Sequence, residues 1–329
     1  MSFNVGNSTT SPAILYKGLG WCFSFGLESI LITIGNLLTI AAFVKQKCLR
    51  KRGTYLLINL AISDIFIGLV PLPIYIYFIG LEFHLWQPYQ IGILSLVFYF
   101  FDILLGIASL LNLTIIALER LYAAKRPFCY RTTQPSSYYT MIGITWILAT
   151  VIATLCFCAF YLTSSLMIST YVSMTIVFVA FWTISSSYAI VWMRLRLHSK
   201  KNYRKASESE RKLGITMIIL TILSLAAWLP FVMMNLVIVL SKTQVPSQTI
   251  ILTTKLLHYG NSLTNCIVYS LRMPDFRRAV IKIVKFDRFD NSAFNSPVDS
   301  STFSPFRSRK MRYSTTINGT NPDVKMELV

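Results

Sequence analysis

Charge is what this chain has least of. Asp, Glu, Lys and Arg together make up 13% of its 329 residues, about half the usual share. Hydrophobic residues reach 54% and the mean hydropathy is +0.57, so a soluble fold of this size has no way to keep its apolar surface dry. Only 3 His occur, which leaves a metal-dependent enzyme few ligands, and no nucleophile–base pair or metal triad appears; no enzyme activity is expected. The cysteines (Cys22, Cys48, Cys129, Cys156, Cys158 and Cys266) show neither paired loop spacing nor a metal-ligand pattern. Short segments of strict apolar alternation, the mark of a membrane β-barrel, are missing. So are the internal repeats of a transporter, which with a channel stays the alternative from another class. The residues before about 20 lack a basic start, an apolar core and a cleavage site. No cleavable signal peptide is expected, and the first apolar helix is the expected anchor.

What is there is apolar and evenly spaced. Seven runs long enough to cross a bilayer lie at about 20–44, 54–80, 89–122, 138–162, 170–196, 211–240 and 247–271. Short loops join them, so neighbours must pack antiparallel. The fold class expected is an all-α membrane protein, a seven-transmembrane helix bundle over 20–271. An extracellular N-terminus at 1–19, an amphipathic eighth helix at 272–286 and a disordered, Ser-, Asn- and Pro-rich tail at 287–329 complete it.

The basic residues set the orientation. The chain carries 31 Lys+Arg against 13 Asp+Glu. In a soluble protein that excess would suggest nucleic acid, but here it is parcelled out between apolar runs, and no nucleic-acid partner is expected. All basic residues except Lys17, Lys242 and Lys255 fall in or next to the loops after the first, third and fifth runs or from Arg272 onward. By the positive-inside rule those regions are cytoplasmic and the N-terminus is outside. The sequon Asn7-Ser8-Thr9 is then exposed to glycosylation. Asn112-Leu113-Thr114 lies inside the third helix and Asn318-Gly319-Thr320 in the cytoplasmic tail, and neither is expected to be modified.

Several polar residues sit where hydrocarbon should not tolerate them. Asp64 lies well inside the second helix, Asn36 mid-first, Ser109 mid-third, and Asn261, Ser262 and Asn265 in the seventh. If they converge, one carboxylate and several neutral oxygens suit a small hard cation, a proton or a water cluster; otherwise they only glue helices together. Asp102 and Arg120 share the third helix, about 27 Å apart at 1.5 Å per residue. Asp102 therefore lies towards the outside and Arg120 at the inner mouth. Glu119 precedes Arg120, and Glu210 opens the sixth helix on the same side. Either carboxylate is a candidate partner for Arg120, as a breakable latch.

These residues carry a family resemblance. Gly35-Asn36, Leu60-Ala61-Ile62-Ser63-Asp64, Glu119-Arg120-Leu121, Trp146, Tyr188, Ala227-Trp228-Leu229-Pro230-Phe231 and Asn265-Cys266-Ile267-Val268-Tyr269 follow one another on successive helices. Over about 20–286 the chain resembles a rhodopsin-like (class A) G-protein-coupled receptor. The resemblance implies a sodium pocket of Asp64, Ser109, Asn261, Ser262 and Asn265 beneath Trp228, Na+ being the only cofactor expected. It implies an activation switch of Glu119, Arg120, Glu210, Tyr188, Asn265 and Tyr269, with Pro230 kinking the sixth helix so that it can swing. A heterotrimeric G protein is the implied partner inside, and the plasma membrane the implied location. Arrestin and a receptor kinase follow from the tail serines and threonines, and a PDZ protein from the terminal Glu327-Leu328-Val329.

Departures from the pattern are as informative. Ser95 stands where the family usually has a disulfide cysteine, and the loop at about 163–170 holds no cysteine, so no extracellular disulfide is expected. Ala180 and Cys266 replace prolines of the fifth and seventh helices, and Ala227 replaces a cysteine. At the outer end, Asp102 and Tyr259 fall where receptors for biogenic amines hold an ammonium, and Trp228, Phe231, Asn235 and Ser173 would line the same site. An ammonium ligand would gain a charge-assisted hydrogen bond there. Lys255 lies one turn outside Tyr259 on the same face, so its own ammonium is within reach of Asp102. His258 and Leu256 are also foreign to amine receptors. A small amine is therefore one candidate ligand, with a peptide, nucleoside or lipid as alternatives. The resemblance argues against an opsin, because Tyr259 stands where an opsin carries its retinal lysine.

Overall fold

The computed structural model describes residues 11–46, 49, 53–163, 166–198, 206–241 and 246–285. Among these every regular element is helical. They are α1 (Pro12–Lys45), α2 (Thr54–Leu69), α3 (Pro71–Glu82), α4 (Ile91–Lys125), α5 (Pro127–Thr132), α6 (Pro135–Thr163), α7 (Leu166–His198), α8 (Ala206–Ser241), α9 (Gln248–Arg272) and α10 (Pro274–Val284). The sequon at Asn7, the side chain of Glu210, residues 286–329 with their serines and the final Glu327-Leu328-Val329 lie outside the described residues.

Five spans are long and apolar enough to cross a membrane: Pro12–Lys45, Thr54–Glu82, Ile91–Lys125, Pro135–Leu162 and Thr170–Arg194. In α8 the described apolar stretch is the shorter Ile222–Ile238. In α9 the inward-facing Lys255, His258, Asn261, Ser262 and Asn265, all buried, dilute the apolar character. The outward faces are bare: Trp182 is 79% exposed, and Ile147, Leu155, Phe178 and Val179 are also exposed. Such a surface is stable only against lipid, and the chain is a multi-pass membrane protein.

Two boundaries differ from the sequence expectation. Helix α1 starts at Pro12, not near 20, because Ser11 leaves the helix in an extended conformation and a proline at the first turn costs no hydrogen bond. The second apolar run is two helices. Pro71 cannot donate to the turn before it and crowds the preceding carbonyl, so Val70 departs to φ −116°, ψ −73° and α3 restarts on the proline. By contrast α9 is unbroken. Cys266, at the position of the missing proline, accepts a hydrogen bond from Thr39 Oγ1 at 3.5 Å. Its sulfur lies so close to Gly35 that a Cβ there would sit 3.1 Å away. The thiol thus tightens the seam between α1 and α9.

The core has three parts. On the inner side, Phe43, Leu57, Leu113, Tyr188, Tyr269 and Phe276 belong to one buried cluster, and α10 joins it through Phe276 and Ala279. On the outer side, Phe25, Ile79, Leu105, Leu252 and Tyr259 form a second. Between α4 and α6, Ala108, Ala149 and Ala153 form a third, where small side chains let the two backbones approach.

Candidate functional site

The outer site is built on the inward face of α9. Lys255 and Tyr259 are one turn apart and both meet Asp102 of α4. Lys255 Nζ donates to Asp102 Oδ2 at 2.7 Å, and Tyr259 OH donates to Asp102 Oδ1 at 2.6 Å. Both carboxylate oxygens are therefore engaged. The ammonium also faces four rings, at 4.9 Å from the Tyr259 centroid, 5.0 Å from Phe231, 5.6 Å from Phe98 and 5.7 Å from Tyr75. These are cation–π distances. Tyr75 stacks on Phe98 at 5.6 Å, closing that side of the cage.

His258, between Lys255 and Tyr259 on the same helix, faces α8. Its ring stacks on Phe231 at 4.5 Å and meets Trp228 edge-on at 4.2 Å. Gly106 of α4 lies beside Trp228, and a Cβ there would make ordinary van der Waals contact with the ring at 3.8 Å. Two sequence-expected contacts are differently placed. Asn235 spends its amide on the Phe231 carbonyl of its own helix, at 2.8 Å. Ser173 lies 3.8 Å from Cys156 Sγ, between α6 and α7. Neither makes a polar contact to the Asp102 group among the described residues, because each has a nearer partner.

Beneath Trp228, the expected polar residues do converge. Asn265 Nδ2 donates to Asp64 Oδ2 at 2.7 Å and Ser109 Oγ to Asp64 Oδ1 at 3.4 Å. Asn36 Nδ2 donates to the Ser262 carbonyl at 3.2 Å, and Asn261 is buried alongside on α9. Among the described residues, Oδ1 of Asn36, Asn261 and Asn265 and Nε1 of Trp228 are buried without a hydrogen bond. The buried amide oxygens of Asn36, Asn261 and Asn265, on α1 and α9, and the Asp64 carboxylate are hard donors. Among the described residues no cluster of His, Cys, Asp and Glu could hold a transition metal.

At the inner mouth, Glu119 gathers its surroundings. Its Oε2 lies 2.6 Å from Arg120 Nε. Its Oε1 accepts from Tyr130 OH at 2.7 Å and from Tyr138 OH at 3.4 Å. Burial pushes the Tyr130 phenol above its ordinary range, so it stays a donor. Gly53, at the start of α2, lies against the Arg120 guanidinium, and a Cβ there would overlap it. Tyr188 and Tyr269 are buried in the same inner core, and Tyr269 packs between Phe43 at 5.8 Å and Phe276 at 5.7 Å. Pro230 lies inside α8, which continues through it.

Two features were not singled out from sequence. Asn59 Nδ2 donates to Asn112 Oδ1 at 2.6 Å, and Trp146 Nε1 donates to Asn59 Oδ1 at 2.9 Å. This chain ties α2, α4 and α6 together. Glu28 is a buried carboxylate in α1 that faces Gly260 of α9, with Oε2 unpaired among the described residues. An ionisable residue inside the first apolar run was the signal for it. The described cysteines Cys22, Cys129, Cys156, Cys158 and Cys266 are in no disulfide with one another. The turn outside α3 is instead pinned by Trp86, which donates to the Tyr77 carbonyl at 2.9 Å and stacks on its ring, while Tyr77 OH bonds both backbone groups of Tyr89.

A bundle with this order of polar positions defines a receptor fold, and comparison with known families agrees. Residues 35–269 match the model of the 7 transmembrane receptor (rhodopsin family). The chain belongs to that family. It is 35% identical to the human histamine H4 receptor over 130 residues, 39% of this chain and 32% of that receptor. It is 32% identical to the mouse neuromedin-U receptor 1 over 133 residues, 39% of this chain and 30% of that protein. A longer match, 26% identical over 353 aligned positions, covers 88% of the chain and 71% of the Xenopus laevis D(1C) dopamine receptor. The chain spans about a third of the length of the first two.

Proposed function

We propose that this protein is a plasma-membrane receptor, N-terminus outside, that converts binding of a small extracellular amine at Asp102 into activation of a heterotrimeric G protein. The observation that carries this is physical continuity along α9. Lys255 and Tyr259 grip Asp102, and His258 between them packs on Trp228 of α8, two residues before Pro230. Asn265, further along the same helix, bonds Asp64. A ligand that rearranges the Asp102 contacts therefore biases α8 and α9 together, and its effect is limited by its differential affinity for the two states. Relatives named for histamine and dopamine support the amine; a receptor named for neuromedin-U keeps a peptide as the alternative.

Asp64 with the free amide oxygens of Asn36, Asn261 and Asn265 would hold Na+, which supplies a positive charge against the buried carboxylate and favours the state in which these residues converge. Arg120, released from Glu119, would face the G protein. Arrestin and a receptor kinase acting on the tail serines, and a PDZ protein at the C-terminus, belong to the same reading. The test is G-protein activation in cells expressing wild type or Asp102→Asn, with surface expression of both verified, across a panel of amine-bearing small molecules. A wild-type response that the variant loses supports the proposal. An identical response in both proteins removes Asp102 from ligand recognition, and ion flux without G-protein activation replaces the receptor reading with a transporter.

A further inference from the structure

The Asp102 site already contains an ammonium, and it is the protein's own. We infer that the ligand is a zwitterion, an amine that also bears a carboxylate, which exchanges with the internal Lys255–Asp102 pair one charge for one. This rests on the proposed receptor site at Asp102 and adds the chemical class of what fills it.

Charge conservation within a poorly hydrated site carries the argument. Each Asp102 carboxylate oxygen already accepts one donor, Oδ2 from Lys255 and Oδ1 from Tyr259. An ammonium added beside these donors would leave a net positive charge in the site, whereas one that takes the place of Lys255 exchanges like for like. The displaced ammonium does not leave. Its stem rises from a buried position on α9, and the rings of Tyr75, Phe98, Phe231 and Tyr259 surround it at 4.9 to 5.7 Å. A simple monoamine would thus place a second cation beside an ammonium stripped of its counter-ion, the costly case for buried charge. A simple carboxylic acid would capture Lys255 and strand Asp102 instead. Among the described residues Asp102 is the only ion-pair partner of Lys255. Glu28, the other buried carboxylate of this half, faces Gly260 from α1. A ligand with both charges satisfies both residues at once, and its side chain falls among the same rings, which favours an aromatic or apolar amino acid.

The experiment uses the full-length receptor in lipid nanodiscs and three probes of one skeleton: phenylalanine, 2-phenylethylamine and 3-phenylpropanoate. Thermal stabilisation reports binding, and nucleotide exchange on added heterotrimeric G protein reports signalling. Phenylalanine is expected to stabilise wild type at concentrations ~100-fold below either single-charge probe. Lys255→Met keeps the stem and removes the charge; it is expected to reverse the order, so that 2-phenylethylamine binds better than phenylalanine. Asp102→Asn is expected to favour 3-phenylpropanoate in the same way. Glycine and γ-aminobutyrate, run in parallel, report the separation of charges the site accepts. Stronger binding of 2-phenylethylamine than of any zwitterion to wild type overturns the inference, showing that Lys255 finds another partner, with Glu28 the first to examine. No stabilisation by any of the zwitterions also overturns it. Zwitterion binding without nucleotide exchange upholds the ligand class and counts against G-protein coupling, so the two readings fail separately.

Discussion

Replacing Glu119 by Gln asks whether the inner mouth stores energy that signalling releases. The substitution keeps the shape and an acceptor for Tyr130 and Tyr138 but removes the charge that Arg120 Nε meets at 2.6 Å. Removing one partner of a fully buried pair costs about 3–5 kcal/mol. Arg120 retains 12% exposure at a helix end and can snorkel outward, which lowers its share to about 1–2 kcal/mol. Loss of charge assistance on the Tyr130 bond adds about 1 kcal/mol. A net change of about 2 kcal/mol shifts the ratio of latched to released bundles by about 30-fold. A released state populated at about 1% would then rise to roughly a quarter. The assay pairs basal nucleotide exchange on purified heterotrimers with thermal unfolding of the solubilised receptor. Higher exchange with a lower melting temperature is expected. A lower melting temperature with unchanged exchange would refute the latch and leave the pair a structural staple. If neither quantity moved, the pair would store no energy at all.

Three further outcomes are expected. Gly53→Ala puts a methyl where the Arg120 guanidinium lies, so it should cost about 1–3 kcal/mol of stability and raise basal exchange in the same assay. Trp146→Phe removes the donor to Asn59 Oδ1 in a buried network; melting should report a loss of about 1–3 kcal/mol with ligand affinity unchanged. Asp64→Asn should abolish any dependence of ligand affinity on Na+ measured against K+ at constant ionic strength, and a persisting dependence would move the ion elsewhere.

Much of the site was legible because helical periodicity does the geometry. Lys255 and Tyr259 are one turn apart, so if one faces Asp102 the other must, and the pair at 2.7 Å was readable as a reach. Asp64 and Asn265 were legible because polar groups at membrane depth have to find each other. Illegible were contacts decided by the nearest competitor. The Asn235 amide bonds Phe231 of its own turn, and Ser173 lies against Cys156. Gly53 gave no signal, since nothing local says that an arginine from α4 will lie across it. The break at Val70 was visible in Pro71 and went unread because the apolar run continued through it.

From the amino-acid order alone came the membrane class, the number of long apolar runs, the side on which positive charge gathers and the family to which the polar positions belong. Each of these depends on composition or on spacing along one helix, which chain chemistry specifies locally. Only the tertiary structure decided that Asp102 is filled by the chain's own lysine, that Cys266 seals α1 to α9 in place of a proline, and that Glu28 faces α9. Those depend on which faces meet across helices far apart in sequence, and packing the whole bundle, not any single segment, selects them.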